Sequence, residues 1–374
     1  MNGRSKIKLV IVGQTPPPYN GQAKMIKVLV DNLSKIYDVR FVRMNFSDSV
    51  SSAGKFSISK IWSLFALIGY TWKALGTRRD RYLYYPPASP NLVPVLRDIF
   101  FLLLTRLFCK GVILHFHAGG VSRFSETHFW LRPWLRLAYG KMALGIVNGE
   151  SCPDDPGYFK AKHTVVVPHG LDMASTVPEP RLSCDGAFNI LYVGIHTEDK
   201  GLFTLLDTVR ILKQRGVDFK VRTVGSWYTD EEEKRFFRLR KDHGVEQAVD
   251  CVGRKTGDDL LREYQRADVL LFPTKYPWET MGIVQLEAMA HGLPVVASDW
   301  TGPRDVVVDG ITGYLCPHDR PDVFADRLEL LSKDDALRSR MGIAGRKRYN
   351  SMYTLECYMK RLEKAFRILE NCDG

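Results

Sequence analysis

Short, almost unbroken apolar runs alternate along this chain with longer stretches in which apolar positions recur every three or four residues. The runs at residues 6–12, 39–44, 82–85, 112–114, 145–148 and 164–167 predict buried strands in the first half; those at 189–193, 221–224, 269–272 and 294–297 predict them in the second. Helical spacing follows at 23–34, in the apolar stretch ending at 108, up to 214 after the first strand of the second half, and at 230–242, 258–266, 282–290, 322–331 and 337–346. Strand and helix taking turns predicts parallel sheets built from right-handed crossover units. Near the middle, STVPEPRLSCDG (175–186) holds two prolines and no apolar period. The pattern therefore divides into domains at 1–175 and 187–352, a linker at 176–186, and a terminal helix at 353–374 in which Leu355, Tyr358, Leu362, Phe366 and Leu369 form one apolar stripe. A length of 374 residues suits two domains.

The most informative stretch is 267–315, ADVLLFPTKYPWETMGIVQLEAMAHGLPVVASDWTGPRDVVVDGITGYL. It reads strand, polar loop, helix, strand, which puts the loop and the helix start at the carboxyl end of a parallel sheet, where such folds bind ligands. Glu279 lies in the loop, at the mouth of that crevice. Glu287 lies inside the helix among Ala, Met, Leu and Ile, so its carboxylate needs hydrogen-bond donors, and the vicinal hydroxyls of a sugar suit its two oxygens. Between the two, the N–H groups near Gly282 and Ile283 form a positive helix end suited to phosphate.

Glu279 and Glu287 with seven residues between them, followed by Ala288-Met289-Ala290, the run Gly292–Ala297 and the turn from Asp309-Gly310 to Gly313, resemble the E-x7-E signature of family 4 retaining glycosyltransferases (glycosyl transferases group 1). The resemblance implies a GT-B fold, an α/β architecture of two Rossmann-like parallel-sheet domains facing across a cleft, with the last helix crossing back to the first domain. It also implies a nucleotide-sugar donor and no obligatory metal or other cofactor. Carried over, the first glutamate contacts the donor sugar and the second the ribose hydroxyls. His117, at the end of the strand at 112–114 and before small residues, resembles the histidine that contacts the sugar from the other domain; His115 reads as structural. The loop at 13–22 resembles the family's glycine loop, with Asn20 and Gly21 where two glycines are usual. Asparagine tolerates the left-handed turn but changes how closely a donor approaches. The segment 193–201, VGIHTEDKG, resembles the element in which an arginine and a lysine neutralise the departing diphosphate. Lys200 fits, Ile195 stands where the arginine should, and His196 or Arg254 is the candidate replacement; Arg254, after Val252-Gly253, is expected to border the nucleotide base.

Composition adds three limits. Seven cysteines form no C-x-x-C pair, which argues against a disulfide framework or a zinc site and for a reducing, cytoplasmic setting. The first apolar run is too short for a signal peptide, and the stretches at 61–75 and 92–108 are too short or too charged to span a membrane. The net charge of +11 is uneven: through Ser183 there are 24 Lys and Arg against 11 Asp and Glu, so the excess lies wholly in the first half. No nucleic-acid motif accompanies it. Trp62, Trp72, Trp130 and Trp134 interleaved with Lys60, Lys73, Arg78, Arg79, Arg132 and Arg136 point instead to an anionic membrane face, and to a peripheral protein on the inner side of the cytoplasmic membrane.

The function these features imply is a retaining, metal-independent transfer of a sugar from a nucleoside diphosphate to a hydroxyl of a lipid-linked or cell-surface glycan, as in polysaccharide biosynthesis. The chain has no Asp-x-Asp for a metal-bound diphosphate. Two other readings use the same motifs: a catalytically weak protein that binds a sugar nucleotide or a membrane glycan, suggested by Ile195 and Asn20, and a nucleotide-sugar epimerase.

Overall fold

The computed structural model describes residues 7–17, 21–45, 58–173 and 186–371. The chain forms two compact units, Met1–Pro168 with Met359–Gly374, and His169–Tyr358. Each is built on a parallel sheet of six strands among the described residues.

In the first unit the order along the chain is β1 (Lys8–Gly13), α1 (Gly21–Leu33), β2 (Asp38–Arg43), α2 (Ile58–Leu75), β3 (Tyr82–Tyr85), α3 (Leu92–Thr105), β4 (Gly111–Phe116), α4 (Val121–Thr127), α5 (Arg132–Tyr139), β5 (Leu144–Val147), α6 (Asp155–Tyr158) and β6 (Thr164–Val166). The sheet order is β2-β1-β3-β4-β5-β6. Its central strands are buried along nearly their whole length, which is why they read as apolar runs rather than alternating ones. Val12, Leu83, Tyr85, Leu114 and Phe116 of the sheet pack with Leu67 and Ile68 of α2, Phe101 and Leu102 of α3 and Leu135 of α5. A carboxylate also lies inside this core. Asp98 of α3, fully buried, accepts bonds from Tyr85 Oη (2.6 Å), Tyr139 Oη (3.2 Å), the Ala88 N–H (2.8 Å) and Arg97 (2.7 Å).

The second unit runs β7 (Phe188–Val193), α7 (Leu202–Gln214), β8 (Phe219–Val224), α8 (Asp230–Asp242), β9 (Val249–Cys251), α9 (Asp258–Arg266), β10 (Val269–Phe272), α10 (Ile283–Ala290), β11 (Val295–Ser298), α11 (Thr301–Val306), β12 (Gly313–Cys316), α12 (Pro321–Lys333) and α13 (Asp335–Met352). Its sheet order is β12-β11-β10-β7-β8-β9. The outer strands β9 and β12 are the two that the apolar pattern does not predict. Each is short and only partly buried, so neither has the run of apolar residues that marks a central strand.

The division between units falls at Pro168, upstream of the expected boundary at 175, because the turn after it is pinned within the second unit. Leu171 N–H donates to Tyr353 O (2.9 Å), and Leu171 O accepts from Leu355 N–H (2.9 Å) and Tyr349 Oη (2.6 Å). Of the expected linker, residues 176–185 lie outside the described ones. The last helix, α14 (Leu355–Asn371), passes from the second unit into the first, where Phe366 sets its ring edge-on to Tyr37 at 5.8 Å. No helix among the described residues is long and apolar enough to cross a membrane.

Candidate active site

In the second sheet β7 is hydrogen-bonded to β8 on one side and to β10 on the other. The chain leaves β7 towards β8 and returns on the far side at β10, which makes the carboxyl ends of β7 and β10 the topological switch point, where such sheets bind ligands. The loop after β7 carries Lys200; the loop after β10 carries Glu279.

Backbone geometry locks these two loops together. Gly201, at φ 78°, ends the first loop and starts α7, and a Cβ there would fall 1.8 Å from Pro273 O. The Lys275 N–H donates to Asp199 O at 2.8 Å. At the other end, Gly302 lies so close to Thr280 that a Cβ would be 2.3 Å from its carbonyl carbon, while Thr301 Oγ1 donates to Glu279 O (2.6 Å) and Trp300 Nε1 to Tyr276 O (2.9 Å). Glycine is required at 201 and 302 because backbone approaches backbone there.

Within this frame Lys200 Nζ donates to Glu279 Oε2 at 2.5 Å, Thr274 Oγ1 reaches the same oxygen at 3.3 Å, and the ammonium lies 4.3 Å from the Tyr276 ring centroid. Glu279 is 9% exposed. It does not stand alone at the mouth of the crevice: burial of the loop turns its carboxylate inward onto the lysine. The pairing joins the two charged groups that the sequence assigns to sugar and to diphosphate.

Glu287, 5% exposed on α10, accepts a 2.7 Å bond from Tyr264 Oη of α9. Burial, and then the Glu287 charge, push the Tyr264 phenol well above its ordinary range, so it remains a donor. The Tyr264 ring stacks on His291, whose Nδ1 donates to Glu287 O at 2.8 Å. Gly282, at φ 71°, opens α10, and its carbonyl accepts from the Gln285 N–H at 3.0 Å.

His196 is not a cation in place of the missing arginine. Its N–H bonds to Ser226 O (2.9 Å), and this bridge to the strand end beyond β8 turns the ring into the interior against Trp227 (4.6 Å) and Tyr192 (5.9 Å). At 1% exposure, burial pushes its pKa down to about 4, so the ring is neutral near pH 7. Arg254 is exposed beyond β9, and Ile195 is half-buried. Tyr264, Thr274 and Tyr276 are site residues that the sequence reading missed. For Tyr276 the local signal is its run with Pro277 and Trp278 beside Lys275; Tyr264 and Thr274 have none.

In the first unit, His115 is fully buried between Tyr84 Oη (2.6 Å) and Asn148 Oδ1 (2.8 Å), which agrees with its structural reading, and burial lowers its pKa to about 4. His117, just past β4, stacks on it at 4.1 Å. The following turn is held by Asp155, which accepts from Gly120 N–H (2.8 Å) and Ser122 N–H (2.7 Å). Gly21 begins α1, and Asn20 lies outside the described residues.

Residues 179–348 match the family described as glycosyl transferases group 1. Among similar curated proteins, the capsular polysaccharide biosynthesis glycosyltransferase CapM of Staphylococcus aureus is 30% identical over 190 residues, 50% of this chain and 48% of that one. The phosphatidyl-myo-inositol mannosyltransferase of Mycobacterium tuberculosis is 34% identical over 245 residues, 63% of this chain and 61% of that one. The chain thus spans about half to three-fifths of these relatives' lengths. Among solved structures, sucrose-phosphate synthase from Thermosynechococcus elongatus superposes with a TM-score of 0.76 at 18% identity, covering 98% of this chain and all of that one (100%). Anabaena Alr3699/HepE in complex with UDP and glucose gives 0.69 at 17% identity, covering 96% and 99%. These two establish the two-sheet GT-B fold.

Proposed function

We propose, from the match of residues 179–348 to glycosyl transferases group 1, that this chain moves a sugar from a nucleoside diphosphate to an acceptor hydroxyl, with retention at the anomeric carbon and without a metal. The observation that carries the reading is the meeting of Lys200 and Glu279 at the topological switch point of the second sheet, with Glu287 on the helix that starts there. The bound UDP and glucose of the HepE structure support the same donor class.

In this reading Lys200 and the start of α10 take up the negative charge that grows on the diphosphate as the glycosidic bond lengthens. Glu279 orients the sugar hydroxyls, and Glu287, with one oxygen fixed by Tyr264, orients the ribose. The departing phosphate oxygen helps to take the acceptor proton, so no side chain is assigned as general base. Incubation with nucleotide sugars and a membrane-lipid extract tests this. The expected result is label in the lipid fraction with retained anomeric configuration by NMR, unchanged by EDTA. Hydrolysis-free binding without transfer, or an epimerised sugar, would assign the chain to the binding-protein or the epimerase reading.

The acceptor follows from the first unit, where we infer a peripheral, anionic-membrane face that presents a glycolipid. Trp62 is 73% exposed and Phe129 75%, and Phe65 and Phe100 bring the outer faces of α2 and α3 together at 6.3 Å. Trp72 adds a contact with Phe108 at 5.4 Å, Lys73 is exposed on α2, Arg78 and Arg79 in the turn beyond it, and Arg136 on α5. Vesicles containing phosphatidylglycerol should sediment the protein, with binding falling as salt screens a contribution of about 1 kcal/mol per basic side chain. Equal binding to neutral vesicles in high salt would contradict the electrostatic part.

A further inference from the structure

The Lys200–Glu279 pair carries a consequence beyond holding a donor, although it rests on the donor reading above. A site for diphosphate would be expected to offer uncompensated positive charge. Here the cations around the loops are matched by carboxylates. Glu279 Oε2 takes Lys200 at 2.5 Å, and Glu198 takes both Lys275 (3.0 Å) and Arg235 (2.6 Å). Glu232 is turned to the same loop, accepting from Thr197 Oγ1 (2.6 Å) and the Glu198 N–H (2.8 Å). Ile195 adds no charge.

We propose that Glu279 is a charge-selectivity residue, which lets the site accept a nucleotide sugar and disfavour the free nucleoside diphosphate. In a nucleotide sugar each phosphate carries one ester bond and the shared anhydride bond, and so one negative charge. In the free diphosphate the terminal phosphate is attached only through the anhydride oxygen and keeps a second ionisable proton, whose loss near pH 6, as in a phosphate monoester, adds roughly half to one further charge at neutral pH. Glu279 shares Lys200 with whichever ligand occupies the site, so its carboxylate repels the more highly charged free diphosphate more than it repels the nucleotide sugar. With a sugar present, the same carboxylate gains hydroxyl donors. Without one, it gains nothing to offset the repulsion. The outcome is easy release of the spent nucleotide.

The test is calorimetric titration of wild type and Glu279→Gln with UDP, GDP and TDP and their hexose forms, at about pH 8 and about pH 5.5, either side of the phosphate ionisation. For the base that binds, Glu279→Gln is expected to bind the free diphosphate about tenfold more tightly, with no gain for the nucleotide sugar. In wild type the free diphosphate should bind better at the acid pH, and in the Gln variant this dependence should flatten. Tyr276→Leu removes the ring beside Lys200 but keeps the charges, and should leave the ratio of the two affinities within about twofold. Equal weakening of both ligands in Glu279→Gln, or a change of ratio in Tyr276→Leu as large as that in the Gln variant, would overturn the proposal while leaving the donor reading intact. Failure of every nucleotide and nucleotide sugar to bind wild type would overturn the donor reading, and this inference with it.

Discussion

Lys200→Met is expected to lower turnover about 10²–10³-fold, the scale seen when one preorganised group is taken from developing negative charge. The lysine is the nearest cation to Glu279 in the crevice, and its ammonium is already fixed by a carboxylate, a ring face and the short turn that ends at Gly201. Charge builds on the leaving diphosphate only as the bond breaks, so the loss should fall on kcat more than on donor affinity. Steady-state kinetics on the purified variant measure it, and a double mutant with Glu279→Gln separates the lysine's own role from the effect of leaving Glu279 unpaired. A kcat within about threefold of wild type would remove Lys200 from the mechanism.

The largest effect on stability should come from the other unit. Asp98→Ala takes away the carboxylate that Tyr85, Tyr139, the Ala88 N–H and Arg97 all address. Breaking a buried ion pair from one side typically costs about 3–5 kcal/mol, because the remaining charge keeps its desolvation cost without its partner. Burial and the Asp98 charge hold both phenols well above their ordinary pKa, so they persist as donors with nothing to receive them. For a unit of this size the melting temperature should fall by roughly 10 °C in calorimetry. Tyr139→Phe, which deletes one donor and leaves the ion pair, should cost only about 1 kcal/mol. A shift for Asp98→Ala no larger than that of Tyr139→Phe would show that water or a rearranged Arg97 satisfies the core.

Why some of this could be read from the sequence and some not comes down to range. The β10–α10–β11 unit is legible because a buried parallel strand needs an unbroken apolar run, as Val269–Phe272 shows, and because Gly282 and Gly292 mark the ends of the helix. Asp230–Asp242 and Asp258–Arg266 are legible to the residue because their polar periodicity is local. The pairing of Lys200 with Glu279 is not, since 79 residues separate them and only the closure of the loops after β7 and β10 brings them together. The same holds for Tyr264 and Glu287, 23 residues apart on different helices. His196 looked like a spare cation beside Lys200 because spacing alone does not say which side of a loop faces inward. Its bridge to Trp227 decides that.

The measurement that tests the central claim most directly is the melting temperature of the protein against UDP, GDP, CDP and TDP and their sugars, with and without EDTA. The account predicts that one nucleotide family raises it, by about 2.7 kcal/mol of stability at ~100 times the dissociation constant, regardless of EDTA, and that Glu287→Ala abolishes the rise. No rise with any nucleotide or nucleotide sugar would contradict a donor site at the carboxyl ends of β7 and β10.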